Sequence, residues 1–570
     1  MASKTQQGGA GYRLTLVYAL VALSVTALLW RVVDLHVVQR DTLRREGDAR
    51  SVRVVPVAAH RGVISDRHGE PLAMSTPVDS VWVQPQAFAQ ARERWPQLAK
   101  LLGLNRKRMT REVLARQDRE FMYLKRRISP DLGNKVRALK VPGVSLLREY
   151  RRYYPLGEVA AHVVGFTNVD DVGQEGLELA YNEWLMGTPG SQRVLKDRLG
   201  QIIEVVDLID APRAGQDLVL SLDRRLQYLA YRELKRTVLQ HRARSGSAVV
   251  LDARSGEVLA MVNQPSYNPN NRGQFTGGRY RNRAVTDVFE PGSTIKPFTI
   301  AAALDSGRVA GSTVVDTTPG LLRVGGAMVR DIRNYGRIDV ATVLKKSSNV
   351  GATKIVMNTP PASVWEVLSA VGFGRPSGSG FPGEASGLLA HYAKWRKVER
   401  ATLAFGYGMS VTALQLAHAY TVLAGNGQLR PVTFLRAAQP SDGEAALKAR
   451  TARQLRRMLQ DVVGEGGTAP LAAVPGYRVA GKTGTIKKAD ADGYSEDRYI
   501  AVFVGIAPAS DPRLVMAVVI NEPRGEAYYG GEVAAPVFAR VMEGALRLLD
   551  APPDNLERNG PRLALMRTAQ

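Results

Sequence analysis

The sequence predicts an α+β chain carried on a single N-terminal membrane-spanning helix, and three observations point there. Leu14–Trp30, "LTLVYALVALSVTALLW", is an uncharged apolar run. "SAVVLDARSGEVLAMV", Ser247–Val262, reads as two apolar strands around an Arg254-Ser255-Gly256 turn. Elsewhere strand words alternate with amphipathic helix words, as in "QDLVLSLDRRLQYLAYRELKRTVLQHR" and "AFAQARERWPQLAKLLG".

Taken in chain order, the first element is the apolar run. With Val32 and Val33 it gives about 20 residues, roughly 30 Å of helix and enough to span a bilayer. Tyr18 and Trp30 suit membrane interfaces. The rival reading is a cleaved signal peptide, for which Val25-Thr26-Ala27 offers a poor cleavage site. Lys4 and Arg13 precede the span while Arg31, Arg40, Arg44 and Arg45 follow it, against the positive-inside tendency. Long domains cross largely regardless of charge, so the bulk of the chain is expected outside the cytoplasm. The arginines after the span suit either anionic headgroups or a solvated helix face.

Composition narrows the chemistry. The 570 residues are 45% hydrophobic, enough for about three or four domains, and carry a formal net charge of +24 with a pI near 10.1. That sign attracts polyanions: nucleic acid, anionic lipid or an acidic wall polymer. There is no cysteine, which removes disulfides and thiolate metal sites, and the seven histidines form no H-E-x-x-H pair.

Gly476–Thr483, "GYRVAGKT", matches the G-x-x-x-x-G-K-[ST] pattern of a phosphate-binding loop, and Asp252 ends an apolar strand as a magnesium ligand would. Context opposes that reading. A strand is expected over Tyr477–Ala480 with Lys482 at its end, and the polar "KKADADGYSED" that follows reads as a loop rather than a helix. Asp252 belongs to the 247–262 hairpin, so Lys482 needs another role.

Two further clusters supply it. In "VFEPGSTIKPFTIAAALDSG", Ser293 and Lys296 are three apart at the start of a helix, so they share a face. A neutral lysine in a partly desolvated cleft can take a serine proton. By itself the pair also fits an ordinary solvated helix start. In "VLKKSSNVGATKI", Ser347-Ser348-Asn349 fits a helix cap equally well.

The order Ser293-x-x-Lys296, Ser347-x-Asn349, Lys482-Thr483-Gly484 resembles the penicillin-recognising serine transpeptidases and β-lactamases. "RGVISDRHGEPLA" (61–73), "RYYPLG" (152–157), "GQEGLE" (173–178) and "DRLG" (197–200) resemble the N-terminal motifs of class B penicillin-binding proteins, a module that β-lactamases lack. "RNRAVTDVFEPGSTIKP", "FGYGMSVTALQLAHAY" and "YYGGEVAAPVF" are similar to the cell-division branch of that class, the penicillin-binding protein 3 or FtsI type. The resemblance covers residues 14–550, with no departure at a catalytic motif.

The resemblance implies a cytoplasmic tail (1–13), a membrane anchor (14–35), a basic stalk (36–55) and an elongated pedestal or dimerisation domain (56–220). A serine β-lactamase-like transpeptidase domain (221–550) follows, an antiparallel sheet with helices on its faces, and then a flexible tail (551–570). The sheet is expected to use Ser247–Val262, Tyr499–Ile506 and Leu514–Asn521. Ser293 is expected to attack the carbonyl between the last two D-alanines of a peptidoglycan stem peptide, with Lys296 as base. Ser347 relays a proton and Asn349 holds the donor amide. Lys482, Thr483 and Thr485 receive the terminal carboxylate, with Ser348 and Gly484 also lining the substrate. An amine from a second stem peptide completes the crosslink, and no cofactor is required. The partners implied are lipid II-derived stem peptides, β-lactams, the inner membrane and divisome proteins that include a polytopic glycan polymerase, with no nucleic acid. A carboxypeptidase or β-lactamase with the same motifs, a penicillin sensor and a division scaffold are the competing readings.

Overall fold

The computed structural model describes residues 9–42, 52–196, 202–271, 277–490 and 493–555. The apolar N-terminal run forms helix α1 (Gly9–Val33), prolonged by a π-helical turn over Asp34–Val38. One stretch of it, Tyr12–Val38, is long and apolar enough to cross a membrane, and none of it is buried within the protein. Arg44, Arg45 and Arg50 of the expected stalk, and the Asp197–Gly200 word, lie outside the described residues.

Beyond α1 the chain forms two compact units. The smaller contains β1 (Val52–Val57), the second half of β2 (Pro71–Val83), α2 (Trp95–Leu102), α3 (Arg106–Leu114), β3 (Met122–Ile128), α4 (Pro130–Ala138), most of β4 (Val144–Tyr153), β5 (Gly190–Lys196) and β6 (Ile202–Asp210). Strands β1, β5 and β6 make an antiparallel sheet in that order, while β2 pairs with β3 through Asp79↔Ile128 and Val83↔Met122. Its core gathers Val81, Phe88, Trp95, Leu98 and Val113, with the Phe88 and Trp95 rings stacked at 4.9 Å. The "AFAQARERWPQLAKLLG" word is not one helix: it breaks at Ala91, and Pro96 sits at the start of α2, where a missing N–H is tolerated.

The larger unit joins residues 61–76, 152–186 and 215 onward. Three of the words noted in the sequence meet here. Glu178 is fully buried and accepts from Arg61 Nε at 2.8 Å and from Arg152 Nε at 2.6 Å. Arg61 also reaches the carbonyls of Asp171 and Glu178 and the Asn182 side chain, each at 3.0 Å. Arg152 Nη1 lies 3.2 Å from Ser75 Oγ.

Downstream, α5 (Arg224–Gln240) leads into β7 (Ser245–Asp252) and β8 (Val258–Gln264). After them come α6 (Lys296–Asp305), the hairpin β9 (Leu321–Val324) and β10 (Ala327–Arg330), α7 (Asn349–Met357), α8 (Ala413–Ala424) and α9 (Ala449–Val463). The unit closes with β11 (Ala480–Asp490), β12 (Gly493–Ala507), β13 (Leu514–Asn521) and α10 (Ala535–Leu548). The five-stranded sheet runs β8-β7-β13-β12-β11 and is antiparallel throughout. All three expected segments lie in it. Every residue of β7 and β8 is buried, because helices cover both faces, and this is why those strands read as continuous apolar runs rather than alternating ones. Helix α8 is buried all round, and its few polar residues are hydrogen-bonded there, Gln415 to Arg375 O, His418 to Arg430 O and Thr421 to His418 O.

Two expectations are corrected. The strand holding Lys482 starts at Ala480 rather than ending there, and the described residues of "KKADADGYSED", 487–490 and 493–497, are paired strand rather than loop. Lys487↔Tyr499 and Asp490↔Gly493 pair across a long hairpin whose exposed faces accept charged residues. The tail expected to be free from residue 551 is instead pinned over its first residues. Ala551 is buried with its carbonyl bound by the Tyr477 hydroxyl, and Asp554 accepts from the backbone of Arg478 and Ser510.

Candidate active site

The nucleophile turn is built by close packing. Gly292, at φ +54°, begins a 3-10 turn that carries Ser293 and hands over to α6 at Lys296. A Cβ on Gly292 would lie 2.6 Å from Ile486 Cγ1 on β11, so only glycine fits there. The turn is held by Gly292 N–H to Gly406 O at 3.2 Å and by the Tyr420 hydroxyl donating to Thr294 O at 2.7 Å. Ser293 is half-buried.

Lys296 is fully buried. Its Nζ donates to Ser347 O at 2.6 Å and Asn349 Oδ1 at 2.8 Å, and lies 3.2 Å from Ser347 Oγ. None of its hydrogen bonds goes to Ser293, three residues before it, although the sequence spacing puts the two on one face. Burial, then repulsion from Lys482, holds the Lys296 ammonium well below the ordinary lysine range.

Lys482, also fully buried, donates to the same Ser347 Oγ at 2.9 Å. Burial lowers its pKa to about 7. The Ser347 hydroxyl therefore bridges two lysines that cannot comfortably both be charged. Ser347 sits at φ +57°, a left-handed conformation costing a non-glycine residue about 1–3 kcal/mol, at the position where a preceding helix ends.

Ser348 is the N-cap of α7, accepting from Gly351 N–H at 2.8 Å, so the helix-cap reading of this triplet is correct as far as it goes. Its hydroxyl is fully buried and donates to Asp331 Oδ2 at 2.6 Å. Ser348, expected against the substrate, is instead buried with its hydroxyl between Asp331 and Gly351 N–H. Asp331 also accepts the N–H groups of Asn349 at 2.5 Å and Val350 at 3.0 Å. It is the site residue that sequence reasoning missed, since it lies 17 positions before Ser348 in a different element and no local spacing marks it.

On β11, residues two apart share a face. Lys482, Gly484 and Ile486 point to the nucleophile turn. A Cβ on Gly484 would come within 3.2 Å of Pro291 O and 3.1 Å of Thr294 Cγ2, so a side chain there would be tightly crowded. Thr483 and Thr485 point the other way. Thr483 Oγ1 lies 2.9 Å from Thr468 Oγ1, and Thr485 Oγ1 accepts from Gly530 N–H at 3.0 Å. Lys482 thus lies within an edge strand, not in a strand-to-helix loop, and Asp252 is committed to its own turn through Arg254 and Ser255 N–H. Neither half of a phosphate-binding loop is present.

The chain matches the family model described as the penicillin-binding protein transpeptidase domain over residues 246–543, and that of the penicillin-binding protein dimerisation domain over residues 56–220. It is 43% identical to the peptidoglycan D,D-transpeptidase FtsI of Escherichia coli K12 over 550 residues, covering 96% of this chain and 93% of that one. It is 42% identical to a probable peptidoglycan D,D-transpeptidase, PbpC, of Pseudomonas aeruginosa over 96% of this chain and 97% of that one. Among solved structures it resembles penicillin-binding protein 3 of Mycobacterium tuberculosis in complex with aztreonam. That likeness has a TM-score of 0.69 and 27% identity, over 88% of this chain and 98% of that one. The two buried lysines on one serine, the helix and the strand that carry them and these likenesses lead to one family: the chain is a class B penicillin-binding protein, a peptidoglycan D,D-transpeptidase of the FtsI or penicillin-binding protein 3 type.

Proposed function

We propose that Ser293 is the nucleophile that takes up the donor stem peptide, and that Lys296, Ser347, Asn349 and Lys482 run its proton transfers. The observation that carries this reading is the Ser347 hydroxyl shared between Lys296 and Lys482. Lys296, kept neutral by burial, takes the Ser293 proton as Oγ attacks the carbonyl between the two terminal D-alanines. The proton passes by way of Ser347 to the departing D-alanine nitrogen, the C–N bond breaks, and an ester to Ser293 remains. Asn349 supports the donor amide. Lys482 from one face of the edge strand β11, and Thr483 and Thr485 from its other face, reach the terminal carboxylate at the strand's open edge, with Gly484 giving the strand its close approach. Backbone N–H groups of Ser293 and Thr485 serve the oxyanion, each worth about 3–4 kcal/mol.

The chain's one apolar N-terminal helix suits a single-pass anchor in the inner membrane with the catalytic bulk in the periplasm, working at the division septum beside a polytopic glycan polymerase. Residues 56–220 serve as pedestal and 221–550 as the catalytic domain. The test of the site is an intact-mass and peptide-mass measurement on the full chain after penicillin treatment. One long-lived adduct is expected, on the peptide containing Ser293; an adduct on another peptide overturns the assignment.

The two lysines also set a pH profile. Acylation needs Lys296 neutral and carboxylate capture needs Lys482 charged. Because Lys482 has a pKa near 7 in the free enzyme, the second-order acylation rate should decline as pH rises above about 7. Lys482→Arg, which holds its charge, should move that decline upward by at least about a pH unit. An unmoved falling limb would remove Lys482 from the carboxylate role.

A further inference from the structure

Three residues before the nucleophile stands a carboxylate with no cation paired to it among the described residues. Glu290 lies within about 10 Å of Ser293, Cα to Cα, by chain reach alone. Its Oε1 accepts twice, from Gly408 N–H at 2.8 Å and from the Tyr494 hydroxyl at 3.1 Å. Its Oε2 makes no hydrogen bond or ion pair among the described residues, and it is not sealed from solvent. One oxygen is anchored and the other is presented.

The anchor belongs to the nucleophile's own support. The Gly406–Gly408 loop that binds Glu290 also receives the Gly292 N–H, so the carboxylate and the Ser293 turn are held by one short segment. Beside it lie aromatic rings. Tyr494 meets Tyr407 edge-on at 5.2 Å, and Tyr407 meets Phe405 at 5.6 Å. Glu290 is half-buried, and that burial raises its pKa. Holding an uncompensated carboxylate there is unfavourable in the free protein, and the penalty is relieved when a cation arrives. A carboxylate oxygen beside aromatic faces is the chemistry that selects an alkylammonium.

We propose that Glu290, with Tyr407 and Tyr494, forms the acceptor subsite, taking the ammonium of an aliphatic primary amine on the second stem peptide and lining its methylene chain with the two rings. The proposal rests on Ser293 being the acylated residue. The captured ammonium loses one proton to water, and its nitrogen attacks the ester carbon. The carbon–Oγ bond breaks, and the second nitrogen proton returns to Ser293 Oγ by way of Lys296. The products are an amide crosslink and free serine. Glu290 in this way favours aminolysis over hydrolysis.

The test uses the full chain in detergent with an acyl-D-alanyl thioester donor. Two acceptors compete with water: Nα-acetyl-lysine, cationic at neutral pH, and hydroxylamine, which is not. Glutamine keeps an oxygen for Gly408 and Tyr494, so Glu290→Gln should preserve the turn. The ratio of lysine aminolysis to hydrolysis should fall about tenfold or more, as for loss of about 1.4 kcal/mol of acceptor binding, through a raised KM for the amine. The hydroxylamine ratio should stay within about twofold, and Glu290→Asp should retain most of the lysine preference. Equal losses with both acceptors, or none, overturn the proposal. So does failure of both variants to be acylated by penicillin, which would place Glu290 in the donor half. Slower loss of the penicilloyl adduct in Glu290→Gln than in the unaltered chain would make Glu290 a base for water, and also overturns it. An unaltered chain acylated at a residue other than Ser293 would instead refute the underlying site.

Discussion

Lys296→Ala should lower the rate of Ser293 acylation by about 10²- to 10⁴-fold, the span of a lost general base, and should leave the fold intact. The lysine is buried without a carboxylate partner, its Nζ held by a backbone carbonyl, an amide oxygen and a hydroxyl. Lys482 repels it. Kept neutral by burial and by Lys482, it forms no ion pair whose loss would strand a charge, so melting should change far less than acylation. Noncovalent capture of a carboxylate-bearing donor should survive, because Lys482, Thr483 and Thr485 are untouched. Lys482→Ala should weaken both capture and acylation, since the same side chain also holds Ser347. Stopped-flow acylation with a chromogenic cephalosporin measures the first effect, and competition by an unreactive D-alanyl peptide measures the second. Equal acylation rates in Lys296→Ala and the unaltered chain would remove the general-base role.

Glu178→Gln should destabilise the larger unit by about 3–5 kcal/mol, the cost of stranding buried charge, although it lies outside the catalytic motifs. Glu178 is the one carboxylate shared by the Arg61 and Arg152 guanidiniums, and all three side chains are at most 1% exposed. Glutamine retains the size but neither the charge nor the pairing of two acceptor oxygens. Melting followed by differential scanning fluorimetry should drop by on the order of 5–10 °C. Acylation at low temperature should remain within about threefold, because no active-site residue contacts the network. A melting point unchanged within about a degree would show that the two arginines find other compensation.

That network marks what was legible in the sequence. Arg61, Arg152 and Glu178 each stand in a word recognisable on its own, but that the three words meet at one carboxylate is a fact of long-range packing. Short spacings on a helix start, a turn and a strand single out Ser293, Lys296, Ser347, Asn349 and Lys482 in the sequence, and the structure brings the last four into hydrogen-bond contact. Asp331 was not readable, since its partners come from a distant helix start and an acidic residue just past a strand looks like any other loop residue. The β11–β12 extension was misread because its polar residues face solvent on both sides, so no apolar alternation distinguished paired strands from a loop. Asp554 and Ala551 were misread for a related reason: a Pro-rich end looks unstructured until the backbone groups that bind it are placed.

The Ser347 torsion has a consequence for how this enzyme can change. Its backbone is one that glycine would adopt without strain, so the fold by itself favours losing the side chain there. Serine nonetheless stands there, and its hydroxyl joins Lys296 to Lys482. Under the proton-relay role proposed for that hydroxyl, selection for a sturdier molecule and selection for a working wall-builder pull in opposite directions at one residue. Gains in robustness must come from elsewhere in the chain, and a lineage released from the need to crosslink would be expected to surrender this serine early.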